Sequence, residues 1–301
     1  MNGRSNTMTR RGRGSSKVMT PRTIGLRSLR LVGLYVPIAF VLLLALFPFY
    51  WMLVTSFKAN NELSNLDINP FYPHSPTLMH YMRLLTQTKY LLWFKNTVIV
   101  AVVSTALSMV ISILAGYALA RLRFRGNSFV SGSIFIVYLV PTTLLFIPMA
   151  QVVQRLGLLN NPVALIVVYP TFLVPFCTWL LIGYFQTIPR ELDECAMVDG
   201  ATRFQALWRI VLPTAIPGVI TAGIFAFTLS WNEFIYALVL VSSDNSRTLV
   251  VGVITQLVRG DLLPWGMLMA GSLLGSIPVA ILYSFFVEQY VAGLTAGAVK
   301  G

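Results

Sequence analysis

Charge is what this chain has least of. Of its 301 residues, 11% are charged and 56% are hydrophobic, whereas a soluble globular chain carries about a quarter charged residues. So thin a polar skin does not cover a water-soluble fold. The bilayer is the expected solvent, and a mean hydropathy of +0.74 agrees. Cysteine is nearly absent as well. Cys177 and Cys195 lie in or beside apolar stretches without ligand spacing, which excludes a disulfide framework and leaves no cysteine metal site. The two histidines, His74 and His80, lack a carboxylate partner and read as solvated surface, so no metal is expected.

Acidic residues are missing from residues 1–30, which hold Arg4, Arg10, Arg11, Arg13, Lys17, Arg22, Arg27 and Arg30. A net charge of +12 raises nucleic acid as a partner, but no aromatics interleave these arginines to stack bases. A basic tail ahead of a long apolar run instead fits cytoplasmic retention, and the run is too long for the core of a cleaved signal peptide. The chain also lacks any Gly-Lys pair. It cannot build the loop G-x-x-x-x-G-K-[ST] that cradles nucleotide phosphates, so any such chemistry belongs to partners and the chain itself is not expected to be an enzyme.

What the chain has in quantity is apolar length. Six stretches reach the ~20 residues a spanning helix needs: 31–57, 97–120, 129–150, 162–185, 215–240 and 264–287. Pro37, Pro48, Pro141, Pro170, Pro175, Pro217 and Pro278 fall inside them and are expected to kink rather than break the helices. With the N-terminus inside, lysine and arginine number fifteen on the inner side and seven on the outer, which favours both termini in the cytoplasm. The expected fold is an all-α integral membrane protein with six transmembrane helices. It has a basic tail over 1–30, a membrane domain over 31–292 and a C-terminal tail over 293–301. The outer loop 58–96 has turn chemistry at Pro70, Pro73 and Pro76 and room for a surface helix around 77–93. Small residues four apart, Gly116 with Ala120 and Gly271 with Gly275, predict close helix packing.

One charged segment interrupts the apolar pattern. ELDECAMVDGATRFQALWRIVLP, from 191, holds Glu191, Asp193, Glu194 and Asp199, four of the ten acidic residues. Pro189 suits a first helical position, and the acids that follow complement a helix N-terminus. Gly200 supplies a left-handed stop, and Thr202 with Gln205 matches a capping box that starts a second helix. On that helix Phe204, Leu207, Trp208 and Val211 are spaced to form one apolar face. Two readings remain open on spacing alone: an amphipathic connector at the membrane surface, or a rigid knob gripped by a cytoplasmic partner.

Glu194, Ala196, Gly200, Ile210, Leu212 and Pro213 fall on the pattern E-A-A-x3-G-x9-I-x-L-P, with Cys195 in place of the second alanine. This resembles the cytoplasmic loop signature of permease subunits in binding-protein-dependent ABC importers. GYALARLRFRG (116–126), WNEFIYALVL (231–240) and GLTAGAVKG (293–301) are similar to the maltose-type branch that imports sugars, and the resemblance covers roughly 31–301. It implies a type I importer permease fold in a bacterial inner membrane, and a loop over 189–213 seated in a cleft of an ATPase subunit. Glu194 would meet a basic group there, and Gly200 would permit the turn. It also implies that the tail, with Gly297, Lys300 and Gly301, reaches the ATPase pair. The implied partners are a second homologous permease, an ATPase dimer that binds ATP and Mg, and an extracytoplasmic solute-binding protein that delivers the sugar. No cofactor is expected in this chain.

Two rivals stay open: the same design for a non-sugar solute, and a secondary transporter without ATPase partners, for which Glu233 and Glu288 are the available carboxylates. A carboxylate in a span usually faces a cavity or a partner. Trp231, Asn232 and Glu233 offer an aromatic face, an amide and a carboxylate, the mixture that recognises sugars. The alternative places Glu233 near the headgroups with Trp231 as an interfacial anchor.

Overall fold

The computed structural model describes residues 21–65, 67–258 and 263–289, with side chains from 33 onward. Residues 1–20 of the basic tail and the whole of 293–301 lie outside these. The chain divides into two compact units, 1–51 and 52–301. The first carries most of α1 (Pro21–Phe57), which keeps its helix through Pro37 and Pro48. Its side chains from 33 to 50 are exposed, and none is charged, which is an acceptable surface only against lipid or another membrane protein.

Among its described residues, the regular elements of the second unit are all helices. After α2 (Asn60–Ser64) and α3 (Met79–Gln87) comes α4 (Tyr90–Arg121), then α5 (Asn127–Leu139), α6 (Phe146–Arg155), α7 (Pro162–Val168) and α8 (Pro170–Thr187). The charged segment forms α9 (Glu191–Val198), α10 (Arg203–Ala206), a π-turn at Leu207–Val211 and α11 (Leu212–Thr214). The chain continues through α12 (Ile216–Trp231), α13 (Ile235–Leu240), α14 (Leu249–Leu257) and α15 (Trp265–Phe285).

Among the described residues, four helices are long and apolar enough to cross a membrane: Gly33–Phe57, Tyr90–Arg121, Pro162–Thr187 and Trp265–Phe285. Ile216–Trp231, bent 81° from Arg203–Thr214, makes a fifth if the pair counts as one span. Among the described residues, the six spans expected from hydropathy are therefore not all single continuous helices. The stretch 129–150 is broken: α5 stops at Leu139, Val140 is extended, and a 3-10 turn, Thr142–Leu144, precedes α6. The residue before a proline is pushed out of the helical region, and here Pro141 breaks the helix rather than kinking it. The Thr142 carbonyl at the break accepts from the Tyr236 hydroxyl at 2.8 Å. α4 starts seven residues earlier than apolar content predicts, because Tyr90, Trp93, Asn96 and Thr97 are buried and fold in as helix.

The core is α4 against α8 and α12. Ser104, Ser108, Ser112, Gly116 and Ala120 recur every fourth residue and lie buried along one face of α4. Side chains this small let backbones approach closely. A Cβ at Gly116 would sit 3.1 Å from the Leu181 Cβ. Ser112 donates to the Val174 carbonyl at 3.2 Å, and the Ser104 and Ser230 hydroxyls meet at 2.9 Å. Cys177 is buried in this core.

The 58–77 loop is tied to itself by buried polar groups. The Glu62 carboxylate accepts from the backbone N–H of His74 at 2.9 Å and of Ser75 at 2.5 Å, and the Lys58 ammonium donates to the Asn69 and Pro70 carbonyls. His80, expected on the surface, is buried, with Nε2 2.8 Å from the Lys58 carbonyl. The His74 N–H holds the Glu62 carboxyl below its ordinary value, with Ser75 adding to it, against the opposing effect of burial. A depressed carboxylate contributes stability above its unfolded pKa and loses it as pH falls through the folded value. The protection of residues 58–77 against hydrogen exchange, taken relative to the intrinsic exchange rate at each pH, is therefore expected to hold steady from neutral pH down to the ordinary glutamate range and to fall below it. The Glu62→Gln variant is expected to lose that pH dependence.

Candidate functional site

The segment from 191 folds as a helix–turn–helix. α9 follows Arg190 as its N-cap, so Pro189 lies one residue before the cap and not at the first helical position. At its far end Gly200 has φ +83°. Gly200 N–H donates to Met197 O at 3.1 Å and Ala201 N–H to Ala196 O at 3.0 Å, the paired bonds of a Schellman stop. Thr202 and Gln205 form both halves of the predicted capping box, at 2.8 and 3.2 Å. A side chain in the left-handed region costs about 1–2 kcal/mol, and more when β-branched. Gly200→Val is therefore expected to loosen the turn without unfolding the protein, read as faster trypsin cleavage at Arg203 with an unchanged melting temperature of the bundle.

Pro213 shapes the second helix. Having no N–H, it leaves the Arg209 carbonyl without its usual donor. The chain widens into the π-turn, where Leu212 N–H reaches Leu207 O and the Thr214 hydroxyl donates to Ile210 O at 2.7 Å. The predicted single apolar face is split in two. Leu207 and Val211 are buried in the core, while Phe204 and Trp208 remain 61% and 45% exposed, ring edge to face at 6.0 Å. Val198 is 87% exposed. Glu194, Cys195 and Gly200 are also exposed, Ala196 is buried, Ile210 and Leu212 are half-buried, and Pro213 is exposed. Glu194, Cys195 and an uncovered apolar set thus project from one short loop whose own fold does not need them.

Sequence reasoning missed how this loop is fastened. Arg121 Nε lies 3.3 Å from Asp193 Oδ2, with both side chains buried, and Arg190 Nη2 donates to the Ala120 carbonyl at 3.3 Å. Burial pushes the Asp193 carboxyl up, and the Arg121 charge opposes it. An arginine at a helix end commonly reaches for an interface, so nothing in the linear pattern marks Arg121 as buried.

Trp231, Asn232 and Glu233 do not share a surface. Trp231 is buried, its Nε1 donating to the Gly275 carbonyl at 3.1 Å and its ring stacked on Phe227. Asn232 is exposed, and its amide donates to the Thr228 carbonyl. Glu233 alone lines a cavity of about 470 Å³, walled by Tyr138, Phe172, Phe176, Phe225 and Tyr236. Its carboxylate is fixed by Tyr236 N–H at 2.9 Å, Ala237 N–H at 3.0 Å and the Tyr169 hydroxyl at 2.9 Å. It therefore caps α13 while facing an aromatic chamber. Thr142 and Thr171 add hydroxyls to the lining. Gly297, Lys300 and Gly301 lie outside the described residues.

Residues 108–292 match the family described as binding-protein-dependent transport system inner membrane component. The sulfoquinovosyl glycerol transport system permease protein SmoH of Agrobacterium fabrum is 41% identical over 268 residues, which cover 89% of this chain and 93% of that protein. The trehalose/maltose transport system permease protein MalG of Thermococcus litoralis is 34% identical over 262 residues, covering 86% and 93%. In fold, the chain is similar to one from the crystal structure of a bacterial ABC transporter involved in the import of the acidic polysaccharide alginate. There the TM-score is 0.73 at 22% identity, covering 89% of this chain and 96% of that one. The permease resemblance carried by the loop motif and the carbohydrate-branch resemblance carried by the segments 116–126, 231–240 and 293–301 are borne out, and the chain belongs to the binding-protein-dependent inner membrane transport components, as an all-helical, multi-pass permease.

Proposed function

We propose that this chain is one of two permeases in an ATP-driven importer of a sugar or oligosaccharide, and that its 191–213 loop is the surface on which an ATPase subunit docks. The observation that carries the docking reading is the loop itself. Its turn is capped on both sides, by the Gly200 stop and by the Thr202–Gln205 box, and it exposes Phe204, Trp208, Val198 and Glu194. An apolar patch rimmed by charge on a preformed helix is the kind of surface a partner groove takes. ATP and Mg are held by that partner, and a solute-binding protein on the opposite side of the membrane supplies the sugar. The chain does no covalent chemistry.

The cavity is this subunit's contribution to the solute path. Aromatic faces suit the apolar faces of a sugar ring, and Glu233, Thr142 and Thr171 supply acceptors and donors for hydroxyls. Relatives named for sulfoquinovosyl glycerol and for trehalose and maltose support a sugar over other solutes. Uptake tests the solute class: a strain lacking the chain is expected to lose accumulation of one labelled sugar, and the restored chain to return it. Loss of an amino acid, polyamine or phosphonate, with all sugars unaffected, would overturn the substrate assignment.

A further inference from the structure

We infer that Arg121 and Asp193 form the positioning pair through which the docking loop moves α4, an inference that rests on the docking role proposed for that loop. The three core helices are attached to the loop in different ways. α8 runs into α9 through Ile188 and Pro189, and α12 leaves α11 through Ala215. Both therefore move with the loop by covalent continuity. α4 has no such link, although it packs against both and forms the centre of the unit. Leu207 and Val211 of the loop share its apolar cluster with Tyr117 and Ala120, and what fastens it to the loop directionally is a small set of polar contacts near its end.

Arg121 Nε approaches Asp193 Oδ2 at 3.3 Å, with the Arg121 side chain 3% exposed and the Asp193 side chain 10%. Arg190, the cap of α9, donates to Ala120 O at 3.3 Å, and the Tyr117 hydroxyl donates to Arg203 O at 3.4 Å. The two last bonds are long, and each ends on a backbone carbonyl. The ion pair is the one contact of the three in which side chains of both partners are committed and charged. Burial makes it specific, because a buried charge deprived of its partner is strongly unfavourable, whereas an exposed pair would be screened to little effect.

The pair is also incompletely hydrogen-bonded. Arg121 Nε and Nη2 and Asp193 Oδ1 are all buried without a hydrogen-bond partner. Charge holds the groups together while the fork of donors is not aligned on the carboxylate. A small rotation of α9 over the end of α4 would align it, since a guanidinium can meet a carboxylate with two parallel bonds. The contact can therefore tighten when the loop is pushed, which suits a link that must transmit movement and not merely survive it. Beyond Arg121, the small-residue face from Gly116 back to Ser104 keeps α4 in register with α8 and α12, so displacement at its end is carried along the helix.

The test uses the assembled complex in liposomes, with ATP hydrolysis and solute uptake measured on the same preparation. Arg121→Met and Asp193→Asn are expected to assemble and hydrolyse ATP while uptake per ATP falls about tenfold, the scale of a coupling residue. Arg121→Lys, which keeps the charge but not the fork, is expected to be intermediate. The exchange Arg121→Asp with Asp193→Arg is expected to recover most of the loss. Single variants with uptake per ATP equal to the unsubstituted complex would overturn the inference, as would an exchange variant that assembles and hydrolyses ATP without recovering coupling. If either single substitution prevents assembly, the exchange variant alone decides in the same two directions. Failure of the docking role itself has a different signature: the unsubstituted complex would show no ATP-dependent uptake.

Discussion

Glu194→Lys is expected to insert and fold normally and to abolish ATP-driven uptake. Glu194 is exposed in the first turn of α9, and its side chain makes no hydrogen bond or ion pair among the described residues. Its loss therefore removes nothing that holds the loop together. Lysine would instead place a positive charge at the positive end of a helix, beside a recess already lined by Arg121, Arg123, Arg190 and Arg203. Against the basic group that the proposed docking sets on the ATPase side, attraction would become repulsion. Losing a desolvated interfacial charge pair costs about 2–5 kcal/mol, so even the lower end of that range is a drop of about thirtyfold. Labelled-sugar uptake, normalised to the chain present in the membrane, checks it. Glu194→Gln, which removes charge without reversing it, is expected to retain a measurable fraction. Normal ATP-coupled uptake by Glu194→Lys would remove the docking role.

The second large effect is on stability. Gly252→Ala would place a Cβ 2.2 Å from Trp93 Cδ2 and 2.4 Å from Cε3. Trp93 cannot give way. It is 1% exposed, and its Nε1 is bonded to the Asp244 carbonyl at 2.9 Å. Overpacking of this kind costs typically 1–3 kcal/mol and occasionally more, and the fixed indole places this site at about 3 kcal/mol or above. The melting temperature in detergent is expected to fall by roughly 6–12 °C on the usual scaling for a unit of this size. Gly223→Ala is the control, since nothing lies within 4 Å of its Cβ position, and it is expected to leave the melting temperature unchanged or raise it. Equal melting temperatures for both variants would contradict the packing described here.

The difference between Gly200 and Gly252 shows what the linear pattern can convey. Gly200 was legible, because a glycine between an acidic helix start and a capping box has one common use, and φ +83° is that use. Thr202 and Gln205 were legible for the same reason: a capping box is local, and both halves lie within one turn. Gly252 was not, because its requirement is set by Trp93 on another helix. The same holds for Arg121 and Asp193, whose pairing depends on where the end of α4 meets α9. The spacing of Phe204, Leu207, Trp208 and Val211 predicts one face, because helical spacing does not say which of two adjacent columns a neighbouring helix covers.

Composition made the membrane legible at once, but span continuity less so. Pro37, Pro48, Pro175 and Pro278 sit inside unbroken helices, while Pro141 ends one. A proline in an apolar run does not announce which it will do, since that depends on whether neighbouring groups can satisfy the freed carbonyls. Around position 231 the sequence offered three polar or aromatic residues together. Only Glu233 reaches the cavity, because the helix ends at Trp231 and the turn from Asn232 to Phe234 points successive side chains in different directions.

Under the proposed function, this chain moves solute only when an ATPase partner drives its loop. The direct measurement is solute uptake into liposomes holding either the chain alone or the chain with its co-purified partners, each with and without ATP and the solute-binding protein. The prediction is uptake by the complete complex only when both are supplied, and none by the chain alone. Uptake by the chain alone, driven by a solute or proton gradient and indifferent to ATP, would contradict it.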